Sequence, residues 1–259
     1  MRINIINNVF FRLNEIKNPI GDIWLIHPFG ESGLCYREVF ESKLKNKFNI
    51  FVPDLPGFGV SPNNDNPLSV QQLTEKLKEL INEISPDSNL YIVAHSVSGI
   101  IGTSLCKYFG EKINGYVSIE GNLTTKDSYY SSLPIHNSKE EFYRKYLTSV
   151  IENSKSRVDF RRYLASIYFA NIDSLYKWGK STEKIISQNK PGIEFLDLKC
   201  PKVYIWGDKD TPVETQRFIE EKKIPNIFLK GIGHWPMIEV SEKFYNLVND
   251  FFLGNEKSK

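Results

Sequence analysis

Leu90-Tyr91-Ile92-Val93-Ala94-His95-Ser96-Val97-Ser98-Gly99 is the stretch that decides the fold of this 259-residue chain. An apolar, β-branched run stops abruptly at Ser96, and a helical pattern follows with Ile100, Ile101, Leu105 and Tyr108 on one face. A strand that turns at once into a helix crowds its own backbone, so the residues two places either side of the turn must be small. Ala94 and Ser98 meet that need. Such a turn lifts a serine hydroxyl clear of the sheet, at a helix N-terminus whose dipole favours developing negative charge. The usual form is Gly-x-Ser-x-Gly, and here both glycines are replaced. Taken alone, the pattern fits an ordinary N-cap serine equally well.

Further segments add weight. Ile23-Trp-Leu-Ile-His27 reads as a buried strand followed by Pro28-Phe29-Gly30, and Asn49-Ile-Phe-Val-Pro-Asp54 as another followed by Leu55-Pro-Gly-Phe-Gly-Val-Ser61. Lys202-Val-Tyr-Ile-Trp-Gly-Asp-Lys-Asp210 is a strand ending in acids, and Gly231-Ile-Gly-His-Trp-Pro236 sets a histidine in a tight loop. Serine, acid and histidine in that chain order is one of the few orders that build a Ser-His-Asp triad. From Trp24 to Glu120, strands alternate with helical stretches over 36–47, 69–84 and 97–109, which implies right-handed crossovers and a largely parallel sheet. Ligands of such sheets bind beyond the carboxyl ends of the strands. His27, Asp54, Ser96, Glu120 and Asp210 all fall at or just past those ends.

The first sixteen residues read as a hairpin turning at Asn7-Asn8. Between Leu123 and Asp197 the alternation gives way to aromatic-rich helices, clearest over 140–153 and 158–171. A last amphipathic helix is expected from Ser241 to Phe252.

Composition bounds the function. Hydrophobic residues are 41% and charged residues 25%, the balance of a soluble domain, and a net charge of +2 argues against a nucleic-acid partner. Cys35, Cys106 and Cys200 show no paired spacing, so reduced thiols in a cytoplasm are expected. No stretch approaches the roughly 20 apolar residues of a membrane span, and the N-terminus lacks the continuous apolar core of a signal peptide. No metal-ligand spacing and no Gly-x-Gly-x-x-Gly after a strand is found, so neither a metal nor another cofactor is expected.

These motifs jointly make the chain resemble the α/β-hydrolase superfamily over nearly its whole length, nearest the small esterases and thioesterases with a helical cap. The resemblance implies a core domain of residues 1–122 and 198–259, with the cap, 123–197, inserted after the sixth strand. It implies Ser96 as nucleophile, His234 as its base and Asp210 as the acid that orients the imidazole. Glu120, ending the sixth strand, is the rival acid. Two N–H donors, from Val97 and Phe29, would receive the oxyanion; Pro28 stands where glycine is usual and cannot donate. His27 falls in the loop that positions the oxyanion donor, and His27, Glu120, Phe142 and Trp235 are expected around the substrate. His95 is expected to pack, since neighbours on a sharp turn point apart.

Serine at the elbow argues against the dehalogenases and epoxide hydrolases of this fold, which use aspartate there. The implied activity is hydrolysis of a carboxylic ester or thioester. Arg144, Arg157, Arg161 and Arg162 in the cap are either solvated helix faces or a docking patch for an acyl-carrier protein or coenzyme A. Arg157 and Arg161 lie one helical turn apart, and the loop after Asp54 with the basic cap resembles esterases of pimeloyl-carrier methyl esters. A small-molecule receptor on the same fold, or a C–C hydrolase or lyase with the same triad, is the alternative. Oligomeric state is left open.

Overall fold

The computed structural model describes residues 1–62, 66–189 and 191–256. Eight strands form one sheet: β1 (Arg2–Ile6), β2 (Val9–Asn14), β3 (Asp22–Ile26), β4 (Asn49–Asp54), β5 (Leu90–His95), β6 (Ile113–Ile119), β7 (Lys202–Gly207) and β8 (Asn226–Leu229). Their spatial order is β1-β2-β4-β3-β5-β6-β7-β8. β1 and β2 are antiparallel to their neighbours, and β3 through β8 run parallel. The hairpin turns where expected, with Asn7 and Asn8 both at positive φ, a conformation asparagine tolerates. β3, β5 and β6 are buried at every residue, which is why β3 and β5 read as apolar runs rather than alternating ones.

The helices are α1 (Val70–Ile84), α2 (Ser98–Phe109), α3 (Leu133–His136), α4 (Lys139–Ser154), α5 (Val158–Ile167), α6 (Ile172–Asn189), α7 (Pro191–Asp197), α8 (Val213–Glu221), α9 (Pro236–Glu239) and α10 (Ser241–Glu256). α1 starts at a capping box: Ser69 Oγ accepts from the Gln72 N–H while Gln72 Oε1 accepts from the Ser69 N–H. Its buried stripe is Val70, Leu73, Leu77, Leu80 and Ile81. α2 follows the Ser96 turn and buries most of its surface, as a helix packed between sheet and neighbours must.

Two expectations shift. The helix expected over 36–47 is a pair of 3-10 segments, Gly33–Glu41 and Lys43–Asn46, separated by Ser42, whose hydroxyl bonds the Val39 carbonyl and caps the second. α5 ends at Ile167, well short of Asn171, whose N–H bonds the Gly57 carbonyl outside the helix.

Between β6 and β7 the chain runs through α3 to α7. These helices carry a buried aromatic layer, Phe142, Tyr146, Phe160, Tyr163 and Trp178, that meets Phe29 and Phe58 in the loops after β3 and β4. α5 packs on the 33–41 segment and α6 on α1.

Candidate active site

The strand order reverses between β3 and β5, so a crevice opens at their carboxyl ends. Parallel register aligns those ends, pairing Ile26 with Ala94, Ala94 with Ser118 and Ser118 with Tyr204. The residues that next leave their strands, among them His27, Ser96 and Glu120, therefore emerge on one edge of the sheet.

Ser96 takes φ +54°, a left-handed conformation that costs a non-glycine residue roughly 1–2 kcal/mol. The turn is held by its N–H to the Ile119 carbonyl at 2.8 Å. The small Ser98 side chain tucks inward, with its Oγ donating to the His27 carbonyl at 2.6 Å. Ser96 lines a cavity of about 400 Å³ together with Phe29, Val97, Asp210, His234 and Trp235. Among the described residues, the backbone N–H of Phe29 and that of Val97 have no hydrogen-bond partner.

The loop carrying Phe29 is held from above. Tyr163 Oη on α5 donates to the Phe29 carbonyl at 2.8 Å, and the Tyr146 hydroxyl on α4 lies 2.5 Å from that of Tyr163. Gly30, at φ +74°, leaves room for them: a Cβ there would stand 2.1 Å from Tyr146 Oη. Glu31 is fully buried beside this loop, and burial pushes its pKa up to about 7, with a Ser166 hydrogen bond offsetting only part of the cost.

His234 presents Nδ1 to Glu120 Oε2 at 3.4 Å. Glu120, at φ +45°, is fixed through its other oxygen, which accepts from the Gly207 N–H at 2.7 Å and the Thr211 hydroxyl at 2.8 Å. His95 does more than pack. Its ring lies 4.6 Å from that of His234, and its Nε2 donates to the His234 carbonyl at 2.7 Å. Burial, and then the neighbouring His234, hold its pKa well below the ordinary value, so it is a neutral prop for the His234 loop.

Asp210 lies in the same cavity but faces elsewhere. It receives Arg157 of α5's N-terminus in a paired contact at 2.8 and 2.6 Å, and its Oδ2 accepts the His234 backbone N–H at 2.9 Å. Burial pushes its pKa up, but the Arg157 hydrogen bonds outweigh it and the carboxyl titrates below its ordinary range. Among the described residues, the carboxylate that meets the imidazole ring is Glu120. Asp208, two residues earlier, accepts the Gly231 N–H at 2.6 Å and shapes the turn.

The remaining expected residues divide. Trp235 lines the cavity. His27 and Phe142 are completely buried behind it. His27 donates through Nδ1 to the Pro28 carbonyl and accepts the Leu55 N–H at Nε2, both at 2.9 Å, and burial lowers its pKa to about 4. Phe142 packs on Phe29 and Tyr146. Asp54 fixes its loop as expected, accepting the Gly33 and Val60 N–H groups and pairing with Arg12.

The basic patch does not assemble. Arg157 is held by Asp210 and Asp159, Arg161 donates to the Ser154 and Lys155 carbonyls at the end of α4, and Arg162 bonds Glu38 and the Leu34 carbonyl. Three of the four guanidinium groups thus serve internal contacts, and Arg144 stays on the exposed face of α4. Cavity residues the sequence did not single out are Ser131, Ser149, Asn153 and Lys209. Ser149 and Asn153 were legible in principle, as small polar residues next to the stripe Phe142, Tyr146 and Val150 that α4 buries. Among the described residues, no three His, Cys, Asp or Glu side chains gather into a set able to hold a metal, and no helix is long and apolar enough to cross a membrane.

An eight-stranded, mostly parallel sheet with a serine on a strained strand-to-helix turn defines the α/β-hydrolase class, and residues 23–159 match that family's model. The chain belongs to the α/β-hydrolase family. It is similar to a Mycoplasma genitalium protein named an esterase/lipase, at 26% identity over 97% of this chain and 98% of the relative. It also matches the pimeloyl-[acyl-carrier protein] methyl ester esterase of Legionella pneumophila, at 22% identity over 88% of this chain and 93% of that one. Among solved structures, a thermophilic esterase from Thermogutta terrifontis superposes with a TM-score of 0.76 at 16% identity, covering 95% and 93% of the two chains.

Proposed function

We propose that this chain is a serine hydrolase that cleaves carboxylic esters through an acyl-enzyme, with Ser96 as nucleophile, His234 as general base and Glu120 as the acid that orients it. The observation that carries the reading is the strained Ser96 turn sharing one cavity with His234 and with two unpartnered N–H groups, those of Phe29 and Val97. A serine hydroxyl attacks only when a base takes its proton. Glu120 beside Nδ1 favours the tautomer whose Nε2 is free to do so, and stabilises the imidazolium that forms. The Phe29 and Val97 N–H groups are the donors for the oxyanion, each worth roughly 10²–10³ in turnover. Protonated His234 then returns its proton to the leaving alcohol, and a water repeats the sequence to release the acid.

The helices α3 to α7 act in this reading as a cap over the site. Because Arg157, Arg161 and Arg162 are engaged within the fold, a small free ester is favoured over a substrate delivered on a carrier protein. The relatives named as esterases support the ester as the bond cleaved.

The test is covalent labelling of the serine. Wild-type protein should react with a fluorophosphonate and hydrolyse p-nitrophenyl butanoate. Ser96→Ala should lose both while keeping its circular dichroism spectrum, with turnover down on the order of 10⁶. Labelling that persists in the alanine variant removes Ser96 from the mechanism.

A further inference from the structure

Two of the three cysteines meet at the end of the sheet away from the cavity. α2 runs back from the Ser96 turn towards the amino ends of the strands, and Cys106 lies in its last turn. Cys200 stands two residues before β7 begins. The segments that carry the pair are held together around it. Lys107 Nζ on α2 bonds Glu194 Oε2 on α7 at 2.9 Å, and the Tyr116 N–H of β6 donates to the Pro201 carbonyl at 2.9 Å.

The pair is asymmetric. Cys106 is buried and Cys200 half-buried, and the Cys106 thiol donates a hydrogen bond to the Cys200 sulfur. Burial pushes the Cys106 thiol well up. The hydrogen bond from Cys106 holds the Cys200 thiol below its ordinary range, and Lys202 adds to that effect against the cost of burial. Lys202 is itself anchored nearby, its Nζ donating to the Leu198 carbonyl at 2.6 Å. A reachable sulfur with thiolate character beside a buried thiol is the arrangement of an attacking and a resolving cysteine. Cys35 is buried elsewhere, in the 33–41 segment, with Glu31 and Arg162 as charged neighbours. A metal would need further ligands, and among the described residues no third His, Cys, Asp or Glu joins the two thiols in such a set.

We propose that Cys106 and Cys200 form a reversible disulfide under peroxide, stapling the end of α2 to the entry of β7. The Cys200 thiolate attacks one oxygen of the peroxide, the O–O bond breaks, and hydroxide leaves behind a sulfenic acid. The Cys106 sulfur then attacks the Cys200 sulfur. The S–S bond forms, the S–O bond breaks, and the hydroxyl leaves with the Cys106 proton as water. The two sulfurs give up two electrons and the peroxide takes them; a dithiol returns them. The bond closes the long loop from 106 to 200, which restricts the unfolded chain more than a short loop would.

The experiment treats the full-length protein with hydrogen peroxide, then counts thiols in denaturant and maps the linked peptides by mass. The three thiols should fall to one, that of Cys35, with a mass loss of two hydrogens, and dithiothreitol should restore all three. The thermal midpoint of the oxidised form should lie about 5 °C or more above that of the reduced form. Cys106→Ser should stop at a sulfenic acid on Cys200 that dimedone captures, and Cys200→Ser should keep both of its thiols. Three thiols surviving in the wild type, a bond to Cys35, a disulfide between two chains, or an unmoved midpoint overturns the proposal. The wild-type measurements decide the matter even if a variant fails to fold.

Discussion

Glu120→Gln is the substitution that weighs most on the mechanism, because the structure dictates how the new amide must sit. Glu120 Oε1 accepts two donors, the Gly207 N–H at 2.7 Å and the Thr211 hydroxyl at 2.8 Å. A glutamine keeps those bonds only with its carbonyl oxygen in that place. Its NH₂ then faces His234 Nδ1, where Oε2 now stands at 3.4 Å. A donor there forces Nδ1 to carry no proton and puts it on Nε2, the tautomer that cannot accept from serine. Such a tautomer error lowers turnover by about 10⁴, or roughly 5 kcal/mol of barrier. Asp210→Asn is the control. It weakens the Arg157 pair and a backbone hydrogen bond to His234 but leaves the imidazole facing Glu120, so the loss should stay within about tenfold to a hundredfold. The assay is steady-state hydrolysis of p-nitrophenyl butanoate by both variants at one pH, with urea unfolding to show that each is folded. If Asp210→Asn loses more than Glu120→Gln, the geometric argument fails and the acid is Asp210.

Three further outcomes are expected. Glu31 has its pKa raised from 4.5 to about 7, so the folded state holds a proton the unfolded state releases. The benefit is whole below pH 4.5 and is lost as pH rises through about 7, and the shift corresponds to roughly 3 kcal/mol. Glu31→Gln should thus unfold at higher urea than wild type at pH 8 and at nearly the same urea at pH 4.5; equal differences at both would contradict the burial argument. Gly30→Ala combines φ +74° with a Cβ placed 2.1 Å from Tyr146 Oη, and should cost about 2–4 kcal/mol of stability. A loss under 0.5 kcal/mol by urea titration would be inconsistent with the contact. Arg157 and Asp210 should be coupled by about 1 kcal/mol in a double-alanine cycle of unfolding free energies, modest because the pair is partly exposed. Strict additivity would mean that the pair holds nothing together.

Much of this site was legible because its signals are local. The apolar runs of β3 and β5 report burial on both faces of a sheet, and the abrupt stop at Ser96 with Ala94 and Ser98 beside it reports a crowded turn. Each depends on residues within a few positions of each other, so the chain order is enough. The 36–47 stretch misled for the converse reason: its apolar spacing suits a helix, but Ser42 caps a new 3-10 segment there.

Which carboxylate faces the His234 ring, and the partners of the arginines, were decided elsewhere. Glu120 and Asp210 leave neighbouring strands, β6 and β7, within reach of the same loop, and spacing cannot rank them. What ranks them is Arg157, 53 positions from Asp210 in the chain, which binds that carboxylate and leaves Glu120 to face the imidazole. Arg157 and Arg161 do lie one turn apart as the sequence says, yet one meets Asp210 and Asp159 and the other the end of α4. The sequence by itself determined the sheet, the Ser96 turn and the His234 loop, because hydrophobic period and backbone sterics act between near neighbours. Only the tertiary structure determined which carboxylate meets the imidazole and which cations remain free, because a charge takes whichever partner the fold brings within about 3 Å, and that partner need not be near in sequence.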